Sequence, residues 1–255
     1  MLLPSVIVPI SEKGALQGWG GQLGEEMKQQ SALPVCVPYT TAMDKMQKRT
    51  SKTQLADSWC WRFASEEDRH YHDSEWGVPV HDDARMFEHL SLECLQCGLS
   101  WDYVLQRRAL FREAFHGFDI DAVASMTSAD IERALEVPGI LRSPRKLFAI
   151  VNNAQHAQEL RAEFGSFSNY FWNWTDGKTV LYAGHQKGAI PAYNALSTRI
   201  AKDLKKRGFT FVGPTNIYAH LQACGIVCDH NEHCERYVYI TQNFPCIHKH
   251  RDGEG

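Results

Sequence analysis

Two pairs of soft metal ligands lie far apart in this 255-residue chain. Cys60 and His72 form the first pair, and His230 and Cys234 form the second, within the segment C-D-H-N-E-H-C. Two thiolates and two imidazoles are the donors of a closed tetrahedral zinc site. With no sign of a secretory context, disulfides are not expected for these cysteines. The spacing therefore predicts a structural zinc ion that joins the two ends of the intervening segment.

Other ligand combinations stay open, because eight Cys and twelve His make chance neighbours common. Cys228, Asp229 and His233 lie close to the second pair and are rival ligands. Cys94 and Cys97 form a C-x-x-C sequence, but a helix would place both on a buried face, where free cysteine behaves as a small hydrophobic residue. The two separated pairs remain the preferred ligand set.

The composition is that of a globular protein. The chain is 44% hydrophobic and has a formal net charge of −3, so it can bury a sizeable core. Its apolar start contains two prolines and lacks the basic residues and cleavage site of a signal peptide. We therefore expect a cytoplasmic monomer with reduced thiols and no membrane partner. The net charge argues only weakly against nucleic acid, since basic residues can concentrate on one face.

The texture of the sequence divides the chain into three segments. Residues 1–58 contain Gly, Pro, Gln and Lys/Thr clusters without sustained periodicity, which predicts a poorly ordered extension. Residues 59–240 combine dense aromatic residues with helical periodicity and are predicted to form the folded domain. Residues 241–255 are expected to be a flexible tail.

Helical periodicity dominates the central segment. One apolar stripe at helical spacing consists of Phe87, Leu90, Cys94 and Cys97. Asp82 or Asp83 can cap the start of this helix, and Gly98 ends it. Strand signals are scarce apart from the short F-T-F-V at 209–212. The predicted fold class is therefore all-α.

The segment V-P-G-I at 137–140 lies between two predicted helices. Ser143 and Pro144 are suited to the N-cap and first turn of the second helix, so the connection is tight. Gly139 would let the backbone approach a phosphate, and the helix N-terminus would supply amide donors. An ordinary corner between helices is the alternative. Basic residues around the turn favour phosphate binding, namely Arg142, Arg145 and Lys146.

A second basic cluster follows at 199–207. It consists of Arg199, Lys202, Lys205, Lys206 and Arg207. Only Asp203 opposes this charge, and such runs are commonly solvated helix faces. Together with the basic turn, the cluster favours a DNA-binding surface.

Glu93 is the leading candidate for a functional carboxylate. It lies beside the apolar stripe of its predicted helix, so we expect it to be partly buried, with Tyr71 and Trp101 nearby. A salt-bridged residue at the edge of the core is the alternative, and Trp76 is expected to be core. Weaker carboxylate candidates are Asp73, Glu75 and Glu88.

Ordered motifs over 59–234 resemble the DNA-3-methyladenine glycosylase I family of helix-hairpin-helix DNA glycosylases. They include Y-H-D-S-E-W-G-V-P, L-E-C-L-Q-C-G-L-S-W, P-G-I-L-R, K-D-L-K-K-R-G-F-T-F-V-G and D-H-N-E-H-C. The resemblance implies an all-α helix-hairpin-helix fold with a zinc site joining the two ends of the domain. It also implies an enzyme that flips 3-methyladenine out of alkylated double-stranded DNA and excises it by hydrolysis.

The resemblance assigns roles to individual residues. It implies zinc ligation by Cys60, His72, His230 and Cys234, which agrees with the two ligand pairs. Glu93 is expected to recognise the extruded base, in a site lined by Tyr71, Trp101 and Trp61. The expected phosphate contacts are Gly139, Ile140, Arg142, Lys146 and Lys202.

The chain departs from the family pattern at several positions. Cys60 and Trp61 are adjacent, whereas the family usually separates them by one residue, which puts the placement of Trp61 in doubt. Asp68 stands where an aromatic residue is common, so no role is carried over to it. The other departures are Leu95, Cys97 and Cys228.

Two other classes of function compete with a glycosylase. A zinc-stabilised DNA-binding module would sense damage without releasing a base. A zinc hydrolase would need an open coordination position and a general base at the metal, and four protein ligands argue against it.

Overall fold

Helices form most of the fold. The computed structural model describes Cys60 and residues 63–249, and the predicted extension at 1–58 lies outside them. In chain order the helices are α1 (Glu66–Ser74), α2 (Asp83–Gln96), α3 (Trp101–Leu105), α4 (Arg108–Ala114), α5 (Ile120–Ala124), α6 (Ser128–Glu136), α7 (Pro144–Phe164), α8 (Phe167–Trp172), α9 (Ala195–Lys206), α10 (Pro214–Ala223) and α11 (Glu235–Asn243). The mainly helical character predicted from the sequence is confirmed. None of the described helices is long and apolar enough to cross a membrane.

Helix α2 is the central element of the core. Its residues from Met86 to Leu95 are all buried, and it packs against α7, α8 and α10. Asp82 is the N-cap and accepts a hydrogen bond of 2.9 Å from the Arg85 amide. Asp83 instead accepts hydrogen bonds from the first amides of α8, at 3.0 and 2.9 Å. The two adjacent carboxylates therefore cap two different helices.

A small parallel sheet lies near the end of the described chain. Strand β1 (Thr179–Tyr182) pairs with β2 (Cys246–Lys249), so that Thr179 is opposite Cys246. The predicted flexible tail from 241 differs from the structure, because α11 continues to Asn243 and β2 follows it. The apolar face of α11 explains this order, since buried Ile240 packs with Leu181 of β1. Residues 250–255 lie outside the described residues.

The predicted strand at 209–212 is irregular in the structure. Asn153 of α7 accepts a hydrogen bond of 2.8 Å from the Thr210 amide and donates one of 3.0 Å to the Thr210 carbonyl. A side chain thus takes the place of a neighbouring strand. Phe211 has φ +57°, which is outside the β region.

Helices α6 and α7 pack against each other across the turn at 137–143. Gly139 has φ +86°, a left-handed conformation that glycine adopts without steric cost. Pro144 lies in the first turn of α7, as predicted, but the Ser143 side chain makes no capping hydrogen bond. The connection is therefore a tight helical hairpin with an exposed glycine.

Candidate active site and metal centre

The structure brings the two ligand pairs together. One donor atom from each of Cys60, His72, His230 and Cys234 lies within 4.8 Å of the others. The Cys60 sulfur is 3.4 Å from His230 Nδ1, and the Cys234 sulfur is 3.6 Å from the same atom. Cys234 is also 3.7 Å from His72 Nε2. These side chains come from the segment before α1, from α1 itself and from the approach to α11.

The spacing of these donors fits a tetrahedral zinc ion. Zinc–sulfur and zinc–nitrogen bonds of ordinary length would separate adjacent sulfur and nitrogen ligands by about 3.5 Å. The hydrogen bond between the two thiols lowers the pKa of Cys234, aided by the two histidines, and raises the pKa of Cys60, so one of the two thiols ionises readily without a metal. A thiol with a lowered pKa more readily gives the thiolate that binds a metal.

Hydrogen bonds orient both imidazoles toward the sulfurs. His72 donates from Nδ1 to Asp73 at 2.7 Å, which leaves Nε2 for a metal. His230 donates from Nε2 to the Trp76 carbonyl at 2.9 Å, which leaves Nδ1. Such outer hydrogen bonds are typical of metal-binding histidines. Asp73, a weaker candidate for acid–base chemistry, therefore has an orienting position.

The rival ligands lie in other environments. Asp229 accepts hydrogen bonds from Tyr218 and Gln222 at 2.6 and 2.8 Å, and it pairs with His185 at 2.9 Å. The His233 side chain is 72% exposed beside Glu232. Buried Cys228 packs with Leu181 and Ile240, and Cys94 is within hydrogen-bonding distance of the Thr210 and Phe211 carbonyls. None of these joins the cluster of four donors in the described part of the chain.

Glu93 lies in α2 with only 6% of its surface exposed. No described side chain or amide donates a hydrogen bond to its carboxylate. Burial raises the pKa of Glu93 to about 8, because removal from water disfavours the charged form. Glu93 is therefore a buried carboxylate to which no described residue donates a hydrogen bond.

Tyr71 is close enough to Glu93 for their charges to interact, and the Trp101 ring contacts that of Tyr71; these three residues are called the Glu93 cluster below. Tyr71 is 3% exposed, and the charge of Glu93 contributes to raising the pKa of its hydroxyl, after burial. The Tyr71 and Trp101 rings are 5.1 Å apart at an interplanar angle of 53°. Trp101 Nε1 is buried without a hydrogen-bond partner among the described residues. The cluster thus combines aromatic surface with unpaired polar atoms.

The structure describes Trp76 but not Trp61. Trp76 packs on the metal-ligand cluster, with its ring 4.5 Å from that of His230 in an edge contact. This agrees with the expected core position. Trp61 lies outside the described residues, so its predicted place at the base is untested.

The other two carboxylate candidates belong to a network of salt bridges. Arg108 donates two hydrogen bonds of 2.8 Å to Glu75 and one of 2.8 Å to Glu88. Arg112 also contacts Glu88, at 2.6 Å. Although burial opposes ionisation, hydrogen bonds from Arg112 and Arg108 lower the pKa of Glu88 to about 2. The network joins the end of α1 to α2 and α4, and sequence patterns gave no sign of Arg108.

Sequence reasoning also missed His89, one helical turn before Glu93 in α2. His89 is 1% exposed, and both ring nitrogens lack partners among the described residues. His220 of α10 is fully buried, and its Nε2 likewise lacks a partner there. The i, i+4 spacing of His89 and Glu93 was a usable signal for a shared face.

Three departures from the family pattern have clear local environments. Asp68 is buried and accepts a hydrogen bond of 3.0 Å from the Ala64 amide, at the start of α1. Leu95 is fully buried in the core, and Asn216 donates a hydrogen bond of 2.8 Å to the Cys97 sulfur. All three contacts are structural.

Two residues predicted to contact phosphate, Ile140 and Lys146, are buried in the structure. Ile140 is 4% exposed, and its amide donates to the Val137 carbonyl at 3.2 Å within the turn. Lys146 is buried at 9% exposure and donates to the carbonyls of Leu95 and Cys97, at 2.7 and 2.5 Å. Both were expected at the surface because they lie beside the turn in sequence. Their polar groups already have internal partners.

The remaining predicted phosphate contacts are exposed. Gly139, Arg142 and Lys202 all lie at the surface. The Arg107 side chain donates a hydrogen bond of 2.9 Å to the Gly139 carbonyl. Its guanidinium also lies 3.6 Å from the centre of the Tyr103 ring, so Arg107 connects the turn to α3. In the second basic cluster, Arg199, Lys202, Lys205 and Lys206 are exposed.

Arg207 differs from the rest of that cluster. It forms ion pairs with Glu163 at 2.6 Å and with Asp203 at 2.7 Å. Its charge is therefore neutralised within the protein, and the exposed basic face of α9 does not include it.

Comparisons with known proteins give one consistent family. The family model for methyladenine glycosylase matches residues 59–237. A DNA-3-methyladenine glycosylase of Haemophilus influenzae is 40% identical over 164 residues, which are 64% of this chain and 89% of that protein. A solved 3-methyladenine DNA glycosylase I in complex with 3-methyladenine is 34% identical, with a TM-score of 0.64, over 68% of this chain and 93% of that one. A second solved structure, of 3-methyladenine DNA glycosylase I from Staphylococcus aureus, is 34% identical to this chain and has a TM-score of 0.64. The match covers 68% of this chain and 92% of that one.

Proposed function

Because this chain belongs to the methyladenine glycosylase family, we propose that it flips 3-methyladenine out of alkylated double-stranded DNA and hydrolyses its N-glycosidic bond. The observation that carries the proposal is the Glu93 cluster, in which a buried carboxylate with no hydrogen-bond partner among the described residues lies near Tyr71, whose ring contacts that of Trp101. Relatives named for this activity, and one solved with 3-methyladenine, support the same substrate.

Charge explains how Glu93 can distinguish the damaged base from adenine. Methylation at N3 gives the base in DNA a positive charge, and an ionised carboxylate in a buried site attracts it more strongly than in water. The carboxylate also accepts a hydrogen bond from the exocyclic amino group. Undamaged adenine keeps the amino group but lacks the charge, so it cannot offset the cost of burying ionised Glu93.

Aromatic surface offsets part of the cost of extrusion. Removing a base from the stack costs a few kcal/mol, and stacking on an aromatic side chain returns roughly 1 to 3 kcal/mol. Tyr71 and Trp101 already contact each other, so an entering base either separates the rings or stacks beside them.

The positive charge also makes the glycosidic bond weak. As the bond breaks, its electron pair moves into the base, the base leaves neutral and positive charge develops on the sugar. Ionised Glu93 stabilises that charge, and water then attacks the sugar and loses a proton. The two carboxylates of α7, the helix that follows the hairpin, each pair with a basic residue, since Glu159 contacts His156 at 3.2 Å and Glu163 pairs with Arg207. Glu93 is therefore the proposed catalytic carboxylate.

We assign zinc a structural role at Cys60, His72, His230 and Cys234. Four protein ligands would complete a tetrahedral shell around zinc and would leave no position for water or substrate. When bound, the ion supplies cross-linking between distant segments and no reaction chemistry. Tyr71 directly precedes His72 in α1, so unfolding of this end of α1 after loss of the metal would also displace the Glu93 cluster.

The proposed DNA contacts are the exposed hairpin and the basic face of α9. Gly139 and Arg142 would position the phosphate backbone, with Lys202 further along the protein surface. Such contacts fix the register of the protein on DNA but carry no information about the base.

Release of free base tests the proposal. Wild-type protein incubated with methylated duplex DNA should release 3-methyladenine, detected by chromatography. Glu93→Gln should reduce that release at least 100-fold while keeping the zinc content, because the amide cannot supply negative charge. Binding of methylated duplex without release would instead support a damage-sensing module. Wild-type activity in Glu93→Gln would refute the role of Glu93.

A further inference from the structure

The imidazole of His89, which has no hydrogen-bond partner among the described residues, lies beside Tyr71 of the Glu93 cluster. His89 and Glu93 are one turn apart in α2, so their side chains leave the same face of the helix. The His89 ring centroid is 6.3 Å from that of Tyr71, which is in turn 5.1 Å from Trp101. The aromatic residues of the cluster therefore extend from Trp101 through Tyr71 to His89.

Both ring nitrogens of His89 are buried and have no hydrogen-bond partner within the described ranges. A buried polar atom without a partner costs folding free energy, so native proteins retain few of them, often at functional positions. Burial, together with the charge of Arg108, lowers the pKa of His89 to about 4. At neutral pH the ring is therefore uncharged, with one N–H donor and one acceptor nitrogen.

This donor complements what Glu93 offers to a purine. The amino group of 3-methyladenine is a hydrogen-bond donor, and the ring nitrogens on either side of it are acceptors. An ionised carboxylate only accepts, so Glu93 can bind the amino group but not a neighbouring ring nitrogen. A neutral imidazole can donate to that nitrogen, and His89 is the buried imidazole nearest to Tyr71 among the described ring contacts.

We propose that His89 is a second base-recognition residue. Glu93 accepts a hydrogen bond from the amino group of the base, and His89 donates one to the ring nitrogen beside that amino group. The inference rests on the proposed function, since it assumes that the extruded base enters the Glu93 cluster. The two side chains then read adjacent atoms of one purine edge, as a donor and an acceptor.

Atom-replacement analogues test this contact. Calorimetry at pH 9, above the pKa of about 8 that burial gives Glu93, would measure the Kd of free 3-methyladenine and of its 1-deaza and 7-deaza analogues, in which one ring nitrogen becomes CH. We expect wild-type protein to bind one analogue about tenfold more weakly than 3-methyladenine, as loss of one hydrogen bond implies. His89→Phe should bind 3-methyladenine about tenfold more weakly and should no longer distinguish that analogue. His89→Gln, which keeps an N–H donor, should recover part of the discrimination.

Ser91→Ala is the matched control. Ser91 is in the same helix, is 1% exposed and has an unpaired hydroxyl among the described residues, but it lies two positions from both His89 and Glu93, on another face. It should bind all three compounds as wild type does. His89→Leu also lacks hydrogen-bonding groups and repeats the test if the phenyl ring is not accommodated.

Two results separate the possible failures. Undiminished discrimination in His89→Phe or His89→Leu, or an equal loss in Ser91→Ala, would overturn the role of His89. If wild-type protein also releases 3-methyladenine from methylated DNA, only this inference fails. If wild-type protein releases no base, the proposed function itself fails.

Discussion

Glu93 links the chemistry of the cluster to the stability of the protein. Burial raises its pKa to about 8 in the folded protein, from an ordinary value of 4.5. Between these values the folded protein binds a proton that the unfolded chain has lost. The free energy of unfolding must therefore fall as pH rises through this window, and the contribution becomes constant above pH 8.

Glu93→Gln removes this titration and should change the pH dependence of stability. The free energy of unfolding of the variant, minus that of wild type, should grow by about 1.4 kcal/mol for each pH unit between pH 6 and 8, and then level off. Urea unfolding of both proteins at several pH values from 6 to 9 measures the difference. Because all other groups are shared, a difference that stays constant with pH would contradict the burial of a titrating carboxylate.

Asp73 tests the orientation of a metal ligand. Asp73→Asn weakens the acceptor for His72 Nδ1, which is 2.7 Å away, so zinc affinity should fall about 10- to 100-fold. Competition with a chelating dye measures the affinity. Glu66→Gln, an exposed change in the same helix, is the control and should leave it unaltered. Equal affinities in all three proteins would argue against zinc at this cluster.

At the scale of elements, local patterns predicted α2 but not the contacts at its ends. The spacing of Phe87, Leu90 and Cys94 gave the helix and its buried face, because periodicity is a property of neighbouring residues. Lys146 was wrongly placed at the DNA surface. Its partners are the carbonyls of Leu95 and Cys97, which are distant in sequence, so no local pattern reveals them.

Pairing between distant segments was likewise beyond local patterns. The strand β1 was missed because its partner β2 lies near the end of the described chain. The irregular segment at 209–212 has strand-like residues, but Asn153 of α7 supplies its hydrogen bonds. The cluster of Cys60, His72, His230 and Cys234 could be predicted from sequence, because few residue types bind zinc and this limits the choice even for residues far apart in the chain.

Lys146 and Arg142 should separate structural from DNA-binding charge. Lys146→Met leaves two carbonyls without a donor, so we expect stability to fall by about 1 to 3 kcal/mol. The salt dependence of duplex binding should stay unchanged. Arg142→Ala should have little effect on stability, but the slope of log binding constant against log salt concentration should become smaller in magnitude by about 1. Chemical unfolding and binding titrations at several salt concentrations check both variants, and a reduced slope in Lys146→Met would restore it as a phosphate contact.

For the whole molecule, the four metal ligands connect the segment before α1 with the approach to α11. Cys60 and His230 are 170 positions apart, yet their donor atoms are 3.4 Å apart. Because folding brings these four ligands together, a metal would bind the folded chain and not the unfolded one, and its binding free energy would stabilise the fold. Loss of the metal should therefore lower the stability of the fold more directly than it lowers the rate of base excision.

Removing zinc should lower stability before it lowers intrinsic excision. We expect chelator-treated protein to unfold at a temperature several degrees lower, because metal binding free energy contributes to folding. At low temperature, single-turnover base release per folded molecule should be close to that of the metal-bound protein. Thermal unfolding and single-turnover assays on matched samples measure both. Immediate loss of base release without a change in unfolding temperature would contradict a structural metal.

The long separation of the metal ligands also has a consequence during protein synthesis. Cys60 and His72 leave the ribosome well before His230 and Cys234 are translated, and at about 5 to 20 residues per second the 170-position interval takes roughly 10 to 30 seconds. Throughout that interval the first thiol and imidazole have only half of their coordination sphere. Under the proposed zinc assignment, insertion of the ion would be a late event of biogenesis, and the nascent chain would pass through a period in which Cys60 is open to oxidation or to capture of the wrong metal.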